Sequence, residues 1–173
     1  MNDSTRRLVL LRHASAEPGG VRDEERHLTD AGVHEARLLG RWLKDEGLLG
    51  DAVVCSPAMR TRETWAAIQE ETGHGVLIAM EPSVYDADVD ALLRVVAELD
   101  ATAPEARTAV LVGHAPGVPQ LAHDLCGGRG EGLDVVTHGF VPASAAVLDV
   151  AGPWAAFVPG AAQLVVTRPG TDR

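Results

Sequence analysis

The sequence predicts an α/β fold in which a mostly parallel sheet is covered by helices on both faces, and three observations carry that prediction. Short apolar runs alternate along the chain with segments of helical periodicity, the pattern left by repeated strand–helix–strand crossovers. The runs Leu8-Val9-Leu10-Leu11 and Ala109-Val110-Leu111-Val112 are apolar without alternation, as strands buried on both faces are. No repeat or linker divides the 173 residues, a length one domain with a real core accommodates, so residues 1–173 are expected to form a single domain.

Each element can be justified in turn. Leu8–Leu11 is the first strand, and residues 14–28, which include Pro18, Gly19 and Gly20, form a polar loop. Thr29 is a plausible cap for a helix whose core stripe is Ala36, Leu39, Gly40 and Leu43, with Gly47 as its stop. Ala52–Cys55 reads as a second buried strand. Ser56-Pro57 is expected to open a helix running to about Glu71, with Pro57 suited to its first turn. A third strand over Val76–Ala79 is followed by a loop through Pro82 and Asp86, then a helix near Asp90–Leu99. Ala109–Val112 ends at Gly113-His114 and leads into a helix over about Gly117–Leu125. Beyond Gly127 periodicity weakens, and Ala145–Val150 and Leu164–Thr167 read as strands completing the sheet.

Composition narrows the function. The formal charge is −10, from 25 acidic and 15 basic side chains, which argues against a nucleic-acid partner. Lys44 is the only lysine among those basic residues; the rest are arginines, the side chain suited to forked anion contacts. Cys55 and Cys126 have no metal-ligand spacing and are read as reduced and buried. The opening apolar run is too short for a signal-peptide core or a membrane span, so a cytoplasmic protein without a membrane partner is expected.

In such a sheet, ligands bind beyond the carboxyl ends of the strands. There the first strand delivers Arg12-His13, the second leads through Ser56-Pro57 to Arg60, and the fourth delivers Gly113-His114. Alone, Arg12-His13 reads as a surface strand end and His114 as a satisfied core histidine. Together, two arginines and two histidines on one sheet edge read as a phosphoryl site. Guanidinium forks engage phosphate oxygens in pairs, and a neutral histidine is a nucleophile near pH 7. Neighbouring arginines would keep His13 neutral and stabilise transition-state charge, and the helix start after Ser56-Pro57 would favour an anion. No metal or other cofactor is required by this scheme.

Other polar residues are read structurally. His27 and His34 flank the first helix, His74 and His138 sit in loops, and Arg62 is a solvated helix charge near Glu63 or Glu70. His123-Asp124 falls within a helix and lacks the further ligands of a metal-dependent phosphohydrolase. The spacing from Cys55 to Arg60 is one residue too short for a cysteine-phosphatase loop.

The segments LVLLRHA, CSPAMRTRET and LVGHAPGV, in that order, resemble the three signature motifs of the histidine phosphatase superfamily. RHLTDAGVHEARLLGRWL between the first two is similar to its Leu-Thr-x-x-Gly helix start. The resemblance covers about residues 7–126 and implies a three-layer, phosphoglycerate-mutase-like α/β/α sandwich. It implies a phosphohistidine intermediate on His13, with Arg12, Arg60 and His114 forming the phosphate pocket. Only 54 positions separate Arg60 from His114, which leaves no room for the capping insertion of phosphoglycerate mutases. An uncapped chain with Arg-His-Ala is similar to the SixA-type phosphohistidine phosphatases, which act on phosphohistidine carried by a protein. The stretch Val84-Tyr85-Asp86 stands where larger relatives place a Leu-x-Glu proton donor. Asp86 is therefore the candidate general acid, with Glu81 and Asp88 behind it, and Ser15 is a candidate further phosphate contact. The expected function is a metal-independent phosphatase of protein phosphohistidine. The alternatives are a phosphatase of a small phosphomonoester or nucleotide using the same site, and a non-catalytic phosphate-binding module. A mutase is disfavoured, because re-delivery of phosphate calls for an enclosed pocket.

Overall fold

The computed structural model describes residues 5–19, 22–76 and 78–170. Strand β1 (Thr5–Arg12) lies inside the sheet, between β4 (Thr108–Gly113), parallel to it, and β5 (Ala145–Ala151), antiparallel to it. Outward from β4 come β2 (Ala52–Cys55) and β3 (Ile78–Met80), both parallel; outward from β5 comes β6 (Gln163–Arg168), antiparallel to β5. The mostly parallel sheet is therefore finished on one side by an antiparallel pair.

The uninterrupted apolar runs follow from this position. Leu8 and Leu10 of β1, with Ala109 and Leu111 of β4, face one core; Val9, Leu11, Val110 and Val112 face the other. The first core is closed by α3 (Val89–Thr102), α4 (Gly117–Cys126) and α5 (Leu133–His138), through Leu92, Val96, Leu121, Leu125 and Val136. The second is closed by α1 (Asp30–Asp45) and α2 (Met59–Thr72), through Ala36, Leu39, Leu43, Trp65 and Ile68. Every residue of the β1 run Leu8–Leu11 is fully buried, so neither face tolerates a polar side chain. This is the α/β/α sandwich expected.

The structure departs from the sequence reading at several places, each with a local cause. Helix α2 starts at Met59, with Ala58 at its N-cap, rather than at Ser56-Pro57. Ser56 still belongs to the sheet edge: its N–H donates to the Val112 carbonyl (3.0 Å), which keeps it extended. The third strand is Ile78–Met80, shifted from Val76–Ala79, and Leu77 lies outside the described residues. Helix α5 is one short turn and a half, too brief for periodicity to announce, and it makes His138 a helix-terminal residue instead of a loop one. His34 lies within α1 instead of flanking it. The loop after β1 carries a 3-10 turn at Asp23–Glu25 and is drawn together by an antiparallel bridge between Ala16 and Leu28. Gly20, expected in that loop, is outside the described residues.

The start of α1 explains its glycine. Thr29 caps the helix by accepting from the Gly32 N–H (2.9 Å), while its own N–H donates to the Ser15 carbonyl (3.0 Å). That places Gly32 directly against the Ser15 backbone, where a Cβ would overlap the carbonyl oxygen. Gly32→Ala is expected to destabilise the protein by about 1–3 kcal/mol, outweighing alanine's better helix propensity of about 1 kcal/mol. Chemical denaturation followed by circular dichroism checks it.

Candidate active site

The carboxyl ends of β1, β2 and β4 open onto one cleft of about 330 Å³, lined among others by Arg12, His13, Arg60, Asp86 and His114. His13 follows β1 without a break. Its N–H donates to the Gly113 carbonyl (3.0 Å) and its carbonyl accepts from the Ala143 N–H (3.0 Å), so the backbone is held from both sides. The next amide, Ala14 N–H, donates to the buried Thr64 hydroxyl of α2 (3.0 Å).

Side-chain hydrogen bonds fix the protons on both rings. His13 Nδ1 lies 2.8 Å from the Ala14 carbonyl, which can only accept, so Nδ1 carries the proton and Nε2 keeps its lone pair. His114 Nδ1 faces an Arg60 terminal nitrogen (3.2 Å), which can only donate. The His114 proton is thus on Nε2, donated to the Ser56 hydroxyl at 2.8 Å. This contact also shows what the Ser56 side chain does in place of capping α2. The two imidazole centroids are 5.3 Å apart.

Both rings are held neutral. Burial pushes His13 down to about 4, helped by Arg60, Arg12 and Arg26 and opposed by the Ala14 carbonyl. His114 is pushed down to about 3, again by burial first and then by Arg60 and His13. The arginines were expected to keep His13 neutral; they contribute, but desolvation is the larger cause.

The two arginines differ in setting. Arg12 is half-buried and donates to the Phe140 carbonyl (2.8 Å). Arg60 has a side chain only 7% exposed. Its terminal nitrogens reach the Asp23 carbonyl (2.6 Å), the Asp23 carboxylate (2.8 Å) and His114. The Nε of each arginine is buried with no partner, an unmet demand for an acceptor.

Among the three candidate carboxylates, one lines the cleft. Asp86 does so, from a backbone in the left-handed region (φ 53°). Glu81 instead caps the Pro82–Val84 turn, accepting from Ser83 N–H and Oγ (2.9 and 2.6 Å). Asp88 caps α3, accepting from Ala91 N–H (2.8 Å). Helix α4 packs its Gly117 onto the Ala87 carbonyl, where a Cβ would collide, and so holds the loop carrying Asp86 against the cleft.

Ser15 is a correction. Its hydroxyl and N–H both donate to the buried Glu35 carboxylate (3.0 and 2.9 Å), and it does not line the cleft. A buried carboxylate needs donors, and Ser15 is committed to supplying two of them.

Three cleft residues escaped the sequence reading: Asp23, Arg26 and Tyr85. Tyr85 stands edge-on to the His114 ring (centroids 5.5 Å apart) and donates its hydroxyl to Asp23 Oδ2 (2.8 Å). Arg26 donates to Asp23 Oδ1 (3.0 Å). All three come from loops without periodicity; the only available signal was that Arg26 and Tyr85 sit inside segments already singled out, RHLT and Val84-Tyr85-Asp86.

The residues read as structural stay outside the cleft. His27 pairs with Glu63 (2.6 Å), Arg37 takes Glu70, and Arg62 is exposed. His123 contacts its neighbour Asp124 (3.1 Å) on α4. Among the described residues, no group of three or more His, Cys, Asp and Glu side chains is arranged to hold a metal ion. The Cys55 thiol is pushed up to about 12 by burial, so it carries no useful thiolate.

Comparison with known proteins bears on the whole chain. A family model described as the histidine phosphatase superfamily (branch 1) matches residues 8–111. An uncharacterized protein of Mycobacterium tuberculosis is 36% identical over 159 residues, covering 90% of this chain and 96% of its own. A structure assigned as the phosphohistidine phosphatase SixA of Nakamurella multipartitia superposes with a TM-score of 0.84 at 34% identity, over 97% of this chain and 98% of that one. Its counterpart assigned in Agrobacterium tumefaciens gives 0.76 at 28% identity, over 94% and 97%. With its motifs, its fold and its relatives in agreement, the chain belongs to the histidine phosphatase superfamily, branch 1.

Proposed function

We propose that the protein is a metal-independent phosphatase that works through a phosphohistidine on His13 and acts on phosphohistidine carried by proteins. One observation carries the reading: His13 Nδ1 is committed to the Ala14 carbonyl, leaving an unprotonated Nε2 in a cleft shared with Arg12, Arg60 and His114. In this scheme Nε2 attacks phosphorus and the bond to the leaving group breaks. The leaving group takes a proton from Asp86 or from water. Water then attacks the phosphohistidine, releasing orthophosphate and returning Nε2 to its starting state. Arg12 and Arg60 supply the positive charge that the equatorial oxygens need in both transition states. Their Nε groups, buried without partners, are suited to such an acceptor.

A phosphohistidine substrate fits the weak provision for a general acid, since a protonated imidazole leaves readily and Asp86 is exposed. The uncapped cleft admits a bulky partner. The free, buried thiols of Cys55 and Cys126 fit a reducing compartment, and the cytoplasm is the location we propose. Among the described residues no helix is long and apolar enough to cross a membrane.

Steady-state comparison of a phosphorylated histidine-containing phosphotransfer domain with a panel of small phosphomonoesters and nucleotides tests the substrate. The protein substrate is expected to give a kcat/KM at least about tenfold higher, a difference of about 1.4 kcal/mol in the barrier. A higher value on a small metabolite would move the substrate class and leave the chemistry standing. No turnover of either would make the protein a phosphate-binding module. Activity lost to EDTA and restored by a divalent ion would end the metal-free scheme.

A further inference from the structure

We infer that Asp23 is a built-in competitor for the substrate phosphate: its carboxylate occupies part of the anion site in the free protein, and a phosphoryl group must displace it to take a two-pronged hold on Arg60. This deepens the proposed function and rests on its assignment of the cleft as a phosphate site.

The argument is a count of donors. A guanidinium has five N–H bonds, and a phosphate gripped by both terminal nitrogens needs one free hydrogen on each. On Arg60, one terminal nitrogen already serves two acceptors, the Asp23 carboxylate (2.8 Å) and His114 Nδ1 (3.2 Å). The other terminal nitrogen serves the Asp23 main-chain carbonyl (2.6 Å) with one hydrogen and keeps one, so the nitrogen shared by the carboxylate and His114 is the one with none to spare. Arg60 cannot turn elsewhere, because its side chain is buried on the second residue of α2. The remaining contacts of the Asp23 carboxylate come from Arg26 (3.0 Å) and the Tyr85 hydroxyl (2.8 Å). Two guanidinium groups and a phenol around one carboxylate are the donor set that phosphoryl oxygens would seek. These partners hold Asp23 firmly ionised, well below the usual carboxylate range, with the Tyr85 hydrogen bond as the largest cause.

Asp23 is also placed to leave. It sits on the exposed Asp23–Glu25 turn with half of its side chain in solvent, so its carboxylate can be rehydrated when displaced. Displacement frees Arg60, Arg26 and Tyr85 together, and every ligand that takes the two-pronged hold meets the same cost of release. A terminal phosphoryl group offers three free oxygens to these donors and a phosphodiester only two, so the terminal group fills the freed set more completely. The substrate class that best offsets the release is therefore the terminal phosphoryl group.

Isothermal titration of orthophosphate into the wild type, Asp23→Asn, Asp23→Ala and Arg60→Ala tests this, with bis(p-nitrophenyl) phosphate as the monoanionic probe. Both Asp23 variants are expected to bind orthophosphate about tenfold more tightly, because the competent state no longer waits on release of the carboxylate. The diester should gain by the same factor or less, because release of the carboxylate is a cost common to both ligands. KM for p-nitrophenyl phosphate should fall with no matching rise in kcat. Unchanged or weaker orthophosphate binding in both Asp23 variants, with measurable binding by the wild type and loss in Arg60→Ala, overturns the inference and leaves the phosphatase reading intact. Absence of phosphate binding by all four proteins overturns the cleft as an anion site, and this inference with it.

Discussion

His13→Ala is expected to lower kcat/KM by at least about 10³-fold, or about 4 kcal/mol of barrier, and to abolish the acid-labile phosphoenzyme that rapid quenching should trap in the wild type. The ring can be removed without removing the fold. The ring bonds to the Ala14 carbonyl next to it, while the backbone at 13 is held by Gly113 and Ala143. Circular dichroism should show the variant folded. The pH profile supplies an independent check. The reactive ring is the neutral one, and burial depresses its pKa to about 4. Corrected for protonation of the substrate's own phosphoryl group, whose second pKa is about 6, the kcat/KM of the wild type should therefore hold as pH falls through 6.5 and decline only toward 4, where His13 takes a proton on Nε2. A residual activity near that of the wild type in His13→Ala would reject covalent catalysis at this position.

Arg60→Ala is expected to cost about 10²–10³-fold in kcat/KM, the range seen when one preorganised donor to transition-state charge is removed. Two effects combine. The forked contact to the phosphoryl oxygens is lost, and His114 loses the donor that fixes its tautomer. Arg60→Lys should recover only a small part, since a single ammonium cannot serve His114 and two phosphate oxygens from the buried position Arg60 holds. The nitrogen chemical shifts of His114 give a second readout. A single Nε2–H tautomer in the wild type should become a mixture in Arg60→Ala. An unchanged His114 spectrum together with unchanged kinetics would remove Arg60 from the site.

The distribution of what could be read from the sequence has a physical explanation. The buried strands were visible because a two-faced environment admits only apolar residues, and Leu8–Leu11 and Ala109–Val112 obey that demand at every position. Their ends were visible because a strand that stops being apolar at Arg12-His13 or at Gly113-His114 changes character within one residue. The pair of rings and the pair of arginines could thus be placed on one edge from the sequence alone. Loops carry no such constraint. Asp23, Arg26 and Tyr85 meet through two side-chain contacts spanning up to 62 positions, and no local pattern encodes that meeting. Ser15 shows the converse. It was a candidate phosphate contact, but the carboxylate of Glu35 twenty positions along claims its donors. The resemblance put Asp86 ahead of Glu81 and Asp88, but that these two are caps could not be read from spacing, because capping is decided by which amide lies within reach. Helix α5 was invisible because six residues make fewer than two turns, too few for a stripe to form.

The seat of His13 sets how this protein can change over evolutionary time. β1 is hydrogen-bonded to a neighbour on each side along its length, and the His13 backbone continues that ladder to Gly113 and Ala143. Amides in such a position exchange with solvent only when the whole domain opens, whereas a rim built from surface turns opens alone. In the proposed scheme reactivity and selectivity are consequently stored in parts of different stiffness. New substrates could then be tried by rewriting the turns around residues 23 and 85, and each trial would leave the His13 ring where it was.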